Sequence, residues 1–228
     1  MRVHSLIHLP QEGIGAISDW IALNGHTHTC THLYLDESLP SIDDFDMLMI
    51  MGGAMSVNDE DRYSWLKPEK LLIKESIKVG KLVFGICLGS QLISAALGAE
   101  VNYNIHQEIG WYPIWIKYQG NKAIECLPPT LVTFHWHGET FDLPAGAIPF
   151  AESDGCVNQG YSFGDNVIAM QFHMEFTEEM IESMLNHYES ELNPELYVQN
   201  RDHIMSHVNN CYLNNELLAD VLDAFAGT

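Results

Sequence analysis

The stretch from 81 to 98 constrains the fold more than any other, because it joins a buried strand, a sharp turn and a helix. Its first six residues predict the strand, and residues 88–97 predict the helix. Cys87 stands at the turn, and Gly85 and Gly89 on either side lack the Cβ atoms that would collide in so tight a bend. At a helix N-terminus the dipole and free N–H groups favour the reactive thiolate. The pattern predicts a nucleophile elbow that carries cysteine.

Strand and helix patterns alternate along the first half of the chain. Strands are expected at 3–8, 32–35, 46–51 and 81–86, and helices at 14–23 and 65–79. This order implies parallel strands with right-handed crossovers. The second half is richer in strand patterns, at 111–118, 130–137, 148–152, 156–163 and 166–173. The sequence therefore predicts an α/β fold with a mostly parallel central sheet flanked by helices.

The end of the chain has a helical pattern. Thr177 is a candidate N-cap, and apolar side chains follow at helical spacing as far as Tyr188. A second helix is expected over 217–225. We predict a main domain at 1–178 and a C-terminal helical extension at 179–228, packed on the same domain. The apolar faces of these helices fit a core or the surface of a homodimer.

Charge and cysteine usage narrow the classes of partner. The chain has 10 Lys and Arg residues against 31 Asp and Glu residues, a net charge of −21, which argues against nucleic acid and anionic membranes as partners. No apolar run approaches the roughly 20 residues that span a bilayer, and the first ten residues do not resemble a secretion signal. Five widely spaced cysteines without a CxxC pair suit a reducing cytoplasm.

Two further motifs complete a catalytic pattern around Cys87. His173 and Glu175 follow an apolar strand at positions i and i+2, so both side chains are expected on the same side. In a Cys-His-Glu triad, the carboxylate orients the imidazole, and the imidazole acts as base toward the cysteine. Gly52 and Gly53 follow another buried strand, where their backbone N–H groups can approach a developing oxyanion.

Together, the segments Gly85–Gln91, Gly52–Gly53 and Phe172–Glu175 resemble the class I, triad-type glutamine amidotransferase family. The resemblance covers about residues 1–178 and is nearest to a stand-alone, GMP-synthase-like glutaminase domain. It implies a flavodoxin-like three-layer fold without cofactor or metal. The implied reaction is hydrolysis of glutamine to glutamate and ammonia through a cysteine thioester. The ammonia would pass to a synthetase, which this chain does not contain.

The resemblance also assigns roles to individual residues. Cys87 would be the nucleophile, His173 the acid and base, and Glu175 its orienting group. The backbone N–H groups of Gly53 and Leu88 would form the oxyanion hole. The substrate-binding positions would be Gln91, Met55, Trp136 and His137. Two positions differ from related domains: Trp136 replaces the serine of a Ser-His-Gly-Asp segment, and Ala54 replaces a common proline.

Two other functions remain open from the sequence. A γ-glutamyl peptide hydrolase would use the same triad on a substrate with a larger leaving group, and Trp136 is the position where the two pockets would differ. A catalytically silent regulatory or binding module would keep the fold alone, although the intact triad argues against it. The substrate is therefore expected to be glutamine or a γ-glutamyl small molecule.

Histidines outside the triad are candidates for metal ligands. His26, His28, Cys30 and His32 alternate, but in an extended segment they would spread over roughly 20 Å and could not close one tetrahedral site. We expect a polar loop there that leads into the second strand. His135 and His137 form another i, i+2 pair, and the resemblance places them beside the active site, where they are expected to line the pocket. The remaining cysteines are expected to be structural: Cys30, Cys126, Cys156 and Cys211.

Overall fold

The computed structural model describes residues 1–117 and 120–227, in which nine strands form one sheet between helices. The strands are β1 (Arg2–Ile7), β2 (Thr27–His32), β3 (Met47–Ile50), β4 (Leu82–Ile86), β5 (Val101–Ile116), β6 (Thr130–Phe141), β7 (Ile148–Glu152), β8 (Gly160–Phe163) and β9 (Val167–Met170). The helices are α1 (Ile17–Leu23), α2 (Leu66–Lys78), α3 (Leu88–Ala96), α4 (Glu178–Tyr188), α5 (Arg201–Ser206) and α6 (Asn210–Ala226). Short 3-10 turns lie at Leu33–Leu35, Lys122–Cys126 and Glu189–Glu191.

The sheet is parallel in one half and antiparallel in the other. Its strand order is β2-β1-β3-β4-β9-β8-β7-β5-β6, and the strands from β2 to β9 in this order are parallel. From β9 to β6 every pairing is antiparallel. The predicted α/β class is confirmed, with a mixed sheet.

Helices cover both faces of the parallel half. On one face, Phe84 and Ile86 of β4 pack in a core with side chains of α1 and α6. On the other face, Leu48 and Val83 pack with side chains of α2 and α3. All four side chains of β3 are fully buried, which explains its continuous apolar sequence. Both layers are required to bury a strand of this kind.

The position of the edge strand β2 differs from the sequence prediction. The second strand is expected at 32–35, with a polar loop before it, whereas the strand is Thr27–His32 and residues 33–35 form a 3-10 turn. Because β2 lies at the edge of the sheet, its first four side chains are exposed and no apolar pattern is needed.

Other strand bounds also differ from the prediction. β5 begins at Val101 rather than 111, and β6 continues to Phe141 because the two strands pair over most of their length. β8 is limited to Gly160–Phe163, and β9 ends at Met170, before the predicted end at 173. Position 118, the predicted end of β5, lies outside the described residues.

The last fifty residues pack onto the strands that carry the site. Ile181, Met184 and Leu185 of α4 join a core with Phe134 and Trp136 of β6. Leu218, Val221 and Leu222 of α6 are buried in the same core as β4. Within residues 1–117 and 120–227, no helix is long and apolar enough to cross a bilayer.

Candidate active site

Cys87 occupies the sharp turn between β4 and α3 in a strained conformation. Its φ is +52°, one of two positive values among the non-glycine residues that the structure describes. Such backbone costs on the order of 1–3 kcal/mol and persists only where neighbours impose it. Here the Cys87 N–H donates to the Met170 carbonyl at 2.8 Å, and the Ser90 N–H donates to the Cys87 carbonyl at 3.0 Å. The predicted strand, turn and helix are thus present, with the sulfur at the N-terminus of α3.

Two glycines allow this turn because of close packing rather than unusual dihedral angles. A Cβ on Gly85 would lie 2.5 Å from Ile93 Cδ1, and a Cβ on Gly89 would collide with the Ile50 carbonyl oxygen. The missing side chains let α3 approach the ends of β3 and β4. The ends of β3 and β4 and the start of α3 therefore pack closely around Cys87.

His173 and Glu175 lie beside Cys87 as an oriented, buried pair. The His173 N–H donates to the Phe134 carbonyl at 2.8 Å, which fixes this segment just beyond the end of β9. The Nδ1 atom of His173 lies 2.8 Å from Glu175 Oε1, and both side chains are buried. A carboxylate at this distance accepts the Nδ1–H hydrogen bond, so Nε2 is available to the thiol. The structure therefore brings together the three predicted triad residues.

Burial and charge set the proton affinities of the pair. Burial raises the pKa of the Cys87 thiol, while the hydrogen bond and charge of His173 act in the opposite direction. Burial alone would lower the pKa of His173, but the Glu175 carboxylate and the Cys87 sulfur outweigh it and hold that pKa well above its ordinary value. The pKa of the Cys87 thiol therefore stays above its ordinary value, and His173, whose own pKa is raised, is placed to accept its proton.

Replacing His173 with alanine is therefore expected to slow alkylation of Cys87 by iodoacetamide at pH 7 by at least about tenfold. Without the imidazole, the thiol pKa rises further, and each unit of pKa lowers the thiolate fraction about tenfold. Raising the pH should recover part of the lost rate, because a larger fraction of the thiol then ionises. Peptide mass spectrometry measures the rate, with exposed Cys30 as the internal control. Equal Cys87 rates in both proteins at pH 7 would contradict this electrostatic account.

A buried histidine fixes the Gly52–Gly53 peptide, which follows β3. His8 Nδ1 donates to the Gly52 carbonyl at 3.0 Å, and His8 Nε2 lies 2.8 Å from Glu69 Oε1, with both side chains fully buried. The peptide is trans, so the Gly53 N–H points away from His8. Gly53 lines the same pocket as Cys87. The N–H of Leu88 interacts with the Cys87 sulfur, so both predicted oxyanion donors are near the nucleophile.

The pocket above Cys87 has a volume of about 350 Å³. All four predicted substrate-binding residues line it: Gln91, Met55, Trp136 and His137. The Gln91 amide donates to the Glu139 carbonyl at 3.2 Å and to Gln171 Oε1 at 3.0 Å. Trp136 is fixed by a hydrogen bond of 2.8 Å from its Nε1 to Glu191 Oε2. These hydrogen bonds fix the positions of Gln91 and Trp136 in the wall of the pocket.

Several groups at this site are not predicted from the sequence. Glu12, from the loop after β1, lines the pocket, as do Tyr188 and Glu191 from the C-terminal extension. His8 and Glu69 lie behind the glycine peptide. His8 directly follows β1, and side chains at the carboxyl ends of parallel strands collect at one edge of the sheet, so its position offered a signal. Glu12, Tyr188 and Glu191 lie in no motif that indicates this role.

The two histidines of the second pair, His135 and His137, lie in different environments. His137 lines the pocket, whereas His135 is fully buried behind it, so the expectation that both line the pocket is wrong for His135. Their ligand atoms and those of Glu108 lie within 4.8 Å of one another, close enough to hold a metal ion. Each also has a protein partner: His137 Nε2 lies 3.1 Å from Glu108 Oε2, and the Gln159 amide donates to Glu108 at 2.7 Å and to His135 at 3.3 Å.

This buried network explains the charge of Glu108. Burial would raise its pKa, but the two histidines and Ser153 outweigh burial and hold the pKa at about 2. We assign the network to fastening β5 against β6 behind the pocket wall. The histidines of β2 bond elsewhere: His28 Nε2 lies 3.0 Å from Ser5 Oγ. No ligand-type residue of β2 belongs to a metal-ligating cluster of the described residues.

The chain is similar to known glutamine amidotransferases in sequence and in fold. The family model for "Glutamine amidotransferase class-I" matches residues 22–188. The chain is 38% identical over 198 residues to the putative glutamine amidotransferase-like protein YfeJ of Salmonella typhimurium, covering 84% of this chain and 83% of that one. It is 32% identical over 155 residues to a glutamine-hydrolysing GMP synthase subunit of Sulfolobus acidocaldarius, covering 66% and 79%. The crystal structure of a glutamine amidotransferase from Methylobacillus flagellatus superposes with a TM-score of 0.93 at 29% identity, covering 99% and 94%.

Proposed function

Because the chain belongs to the class I glutamine amidotransferase family, we propose that it hydrolyses the side-chain amide of glutamine to glutamate and ammonia through a thioester on Cys87. The observation that carries this proposal is the position of Cys87. It lies at a strained elbow, beside the His173–Glu175 pair and at the base of a pocket. Amide cleavage needs a nucleophile, an oxyanion site and an acid for the leaving nitrogen, and this arrangement supplies all three.

The first half of the reaction forms the thioester. His173 takes the proton of Cys87, and the sulfur attacks the side-chain carbonyl carbon of glutamine. The N–H groups of Gly53 and Leu88 stabilise the oxyanion. His173 then gives the proton to the nitrogen as the C–N bond breaks, and ammonia leaves. Glu175 holds the imidazole in place by accepting the hydrogen bond of its Nδ1–H.

The second half releases glutamate. His173 takes a proton from a water molecule, which attacks the thioester carbon. The same backbone N–H groups stabilise the second oxyanion. The C–S bond then breaks, and the proton returns to the sulfur. The net reaction consumes one water and gives one glutamate and one ammonia, without any redox step.

The rim of the pocket suits the head group of an amino acid. Asp59, Arg62 and Glu139 line it and provide charges of both signs. A zwitterionic ammonium and carboxylate need such a mixture, while the side chain of the substrate extends toward Cys87. Gln91 and His137 line the pocket nearby, and their own hydrogen bonds to the Glu139 carbonyl hold them in place.

A second candidate function, γ-glutamyl amide hydrolysis, is favoured by the extent of the pocket. Its lining continues past Trp136 to Met184, Tyr188 and Glu191. Substituents beyond the amide nitrogen could occupy this part. The chemistry at Cys87 would be unchanged, since only the leaving amine differs.

The family also suggests a recipient for the ammonia. The similar protein from Sulfolobus acidocaldarius is by its name one subunit of a glutamine-hydrolysing GMP synthase. We therefore propose a separate synthetase as the partner of this chain. Such a partner would consume ammonia as it forms.

The test is substrate hydrolysis together with trapping of the covalent intermediate. The protein is incubated with glutamine and with a panel of γ-glutamyl peptides, while released glutamate and the intact-protein mass are measured. Glutamine turnover, or a glutamyl adduct on Cys87, supports the proposal. Activity confined to γ-glutamyl peptides would favour γ-glutamyl amide hydrolysis over glutamine hydrolysis. No turnover, no adduct and no reaction of Cys87 with a glutamine-like alkylating agent would overturn both.

A further inference from the structure

Glu12 is a buried carboxyl group in the active-site pocket that the mechanism above does not use. Its residue is only 5% exposed, yet it lines the pocket together with Cys87 and Gly53. Within residues 1–117 and 120–227 its carboxyl group makes no side-chain hydrogen bond. Burial raises its pKa to about 7, so it is largely ionised at pH 8. The carboxyl group faces the pocket, where a molecule bound beside Cys87 can offer it a hydrogen-bond donor.

The position of the carboxyl group relates it to the reacting atoms. A Cβ added to Gly52 would collide with Glu12 Oε2 and lie 3.4 Å from His173 Cε1. Glu12 and the imidazole therefore flank the same point beside the oxyanion peptide. The charged groups that act on Glu12 are His173, Glu175, His8 and Glu191, and the charge of Glu12 in turn raises the pKa of Cys87 and of Tyr188.

The chemistry of the leaving group indicates which donor fits. His173 must stand beside the nitrogen that it protonates, so the leaving nitrogen lies on the side of the imidazole that Glu12 shares. An amide nitrogen carries N–H groups, which a carboxylate accepts. The alkoxy oxygen of an ester carries none, and its lone pairs would face the carboxylate.

We propose that Glu12 accepts a hydrogen bond from the leaving nitrogen of the substrate, and that it thereby selects amides over esters. This inference rests on the proposed function, since it assigns a role in the same acylation step. Glu12 takes no proton in that step, because His173 supplies the proton as the C–N bond breaks. The departing amine keeps its hydrogen bond to the Glu12 carboxylate until it leaves the pocket.

The experiment compares an amide with an ester of the same acyl group. Wild type, Glu12→Met and Glu12→Gln are assayed at pH 8 with glutamine and with the γ-methyl ester of glutamate. Because both substrates form the same thioester, kcat/KM isolates the acylation step. For Glu12→Met we expect kcat/KM for glutamine to fall about 10- to 100-fold, as for loss of a hydrogen bond to a charged group, and kcat/KM for the ester to stay within about threefold.

Glu12→Gln provides the conservative arm, because its amide oxygen is a weaker acceptor of similar size. Its loss on glutamine should lie between those of wild type and Glu12→Met. Full ester activity also shows that each variant is folded. Equal losses on both substrates, or no loss on glutamine, would overturn the inference while leaving the proposed function intact. A wild-type protein that hydrolyses neither substrate, forms no adduct on Cys87 and does not react with the glutamine-like alkylating agent would overturn the proposed function, and this inference with it.

Discussion

Glutamine hydrolysis is expected to fall about 10⁶-fold when Cys87 is replaced with serine, as when the nucleophile of a triad is removed. Serine is nearly isosteric and keeps the elbow, but its hydroxyl is far less acidic than a thiol. The His173–Glu175 pair is arranged to accept a proton from a buried thiol. The same pair would remove little of the much less acidic proton of the serine hydroxyl in Cys87→Ser. The adduct detected by intact-protein mass should disappear together with turnover.

Exposed Cys30 offers the matched control, because Cys30→Ser makes the same chemical change on the edge strand β2. Its glutamate release should match that of wild type. Denaturant unfolding of both variants separates loss of chemistry from loss of fold. Residual turnover of Cys87→Ser within about 100-fold of wild type would show that another residue is the nucleophile.

The second large effect is expected at His8, a residue that has no direct place in the reaction. His8→Leu removes the donor to the Gly52 carbonyl, so the peptide that carries the Gly53 N–H is free to rotate. We expect kcat to fall about 10²- to 10³-fold, as for loss of one oxyanion donor, with little change in KM. His8→Asn should recover most of this loss, because its Nδ2–H stands where His8 Nδ1–H stood.

The buried partner of His8 must be neutralised in the same experiment, because Glu69 without His8 would leave an unpaired charge in the core. Each His8 variant is therefore combined with Glu69→Gln, and Glu69→Gln alone is the reference. Equal kcat values for the Leu and Asn versions would contradict a role in orienting the peptide. A parallel rise in KM would point instead to a distorted pocket.

The elbow could be predicted from sequence because its requirements are local. Two glycines, one cysteine and a change from strand to helix pattern all fall within eighteen residues. His173 and Glu175 could be recognised from their spacing, although they lie beyond β9 rather than on it. Their common orientation is set by the bond from His173 to Phe134 in the neighbouring segment.

The groups that surround the triad were not predictable in the same way. His8 and Glu69 are 61 positions apart, and the fold alone brings them together. Glu12 lies in the loop after β1, and no motif in that loop indicates that its carboxyl group is buried in the pocket. The edge strand β2 was missed because an exposed edge has no apolar alternation. His135 shares a face of β6 with His137, but periodicity cannot show how deep each side chain lies.

The C-terminal extension supplies one wall of the pocket through Tyr188 and Glu191, while the nucleophile comes from the turn between β4 and α3. This one wall and the nucleophile thus come from separate stretches of the chain. Exchanging the region around α4 and the following turn between homologues offers a route to new substrate preferences that leaves the triad untouched. Such an exchange must keep the apolar faces of α4 and α6, because they complete the cores that hold β6 and β4, and a chain cut at residue 178 would leave both cores exposed.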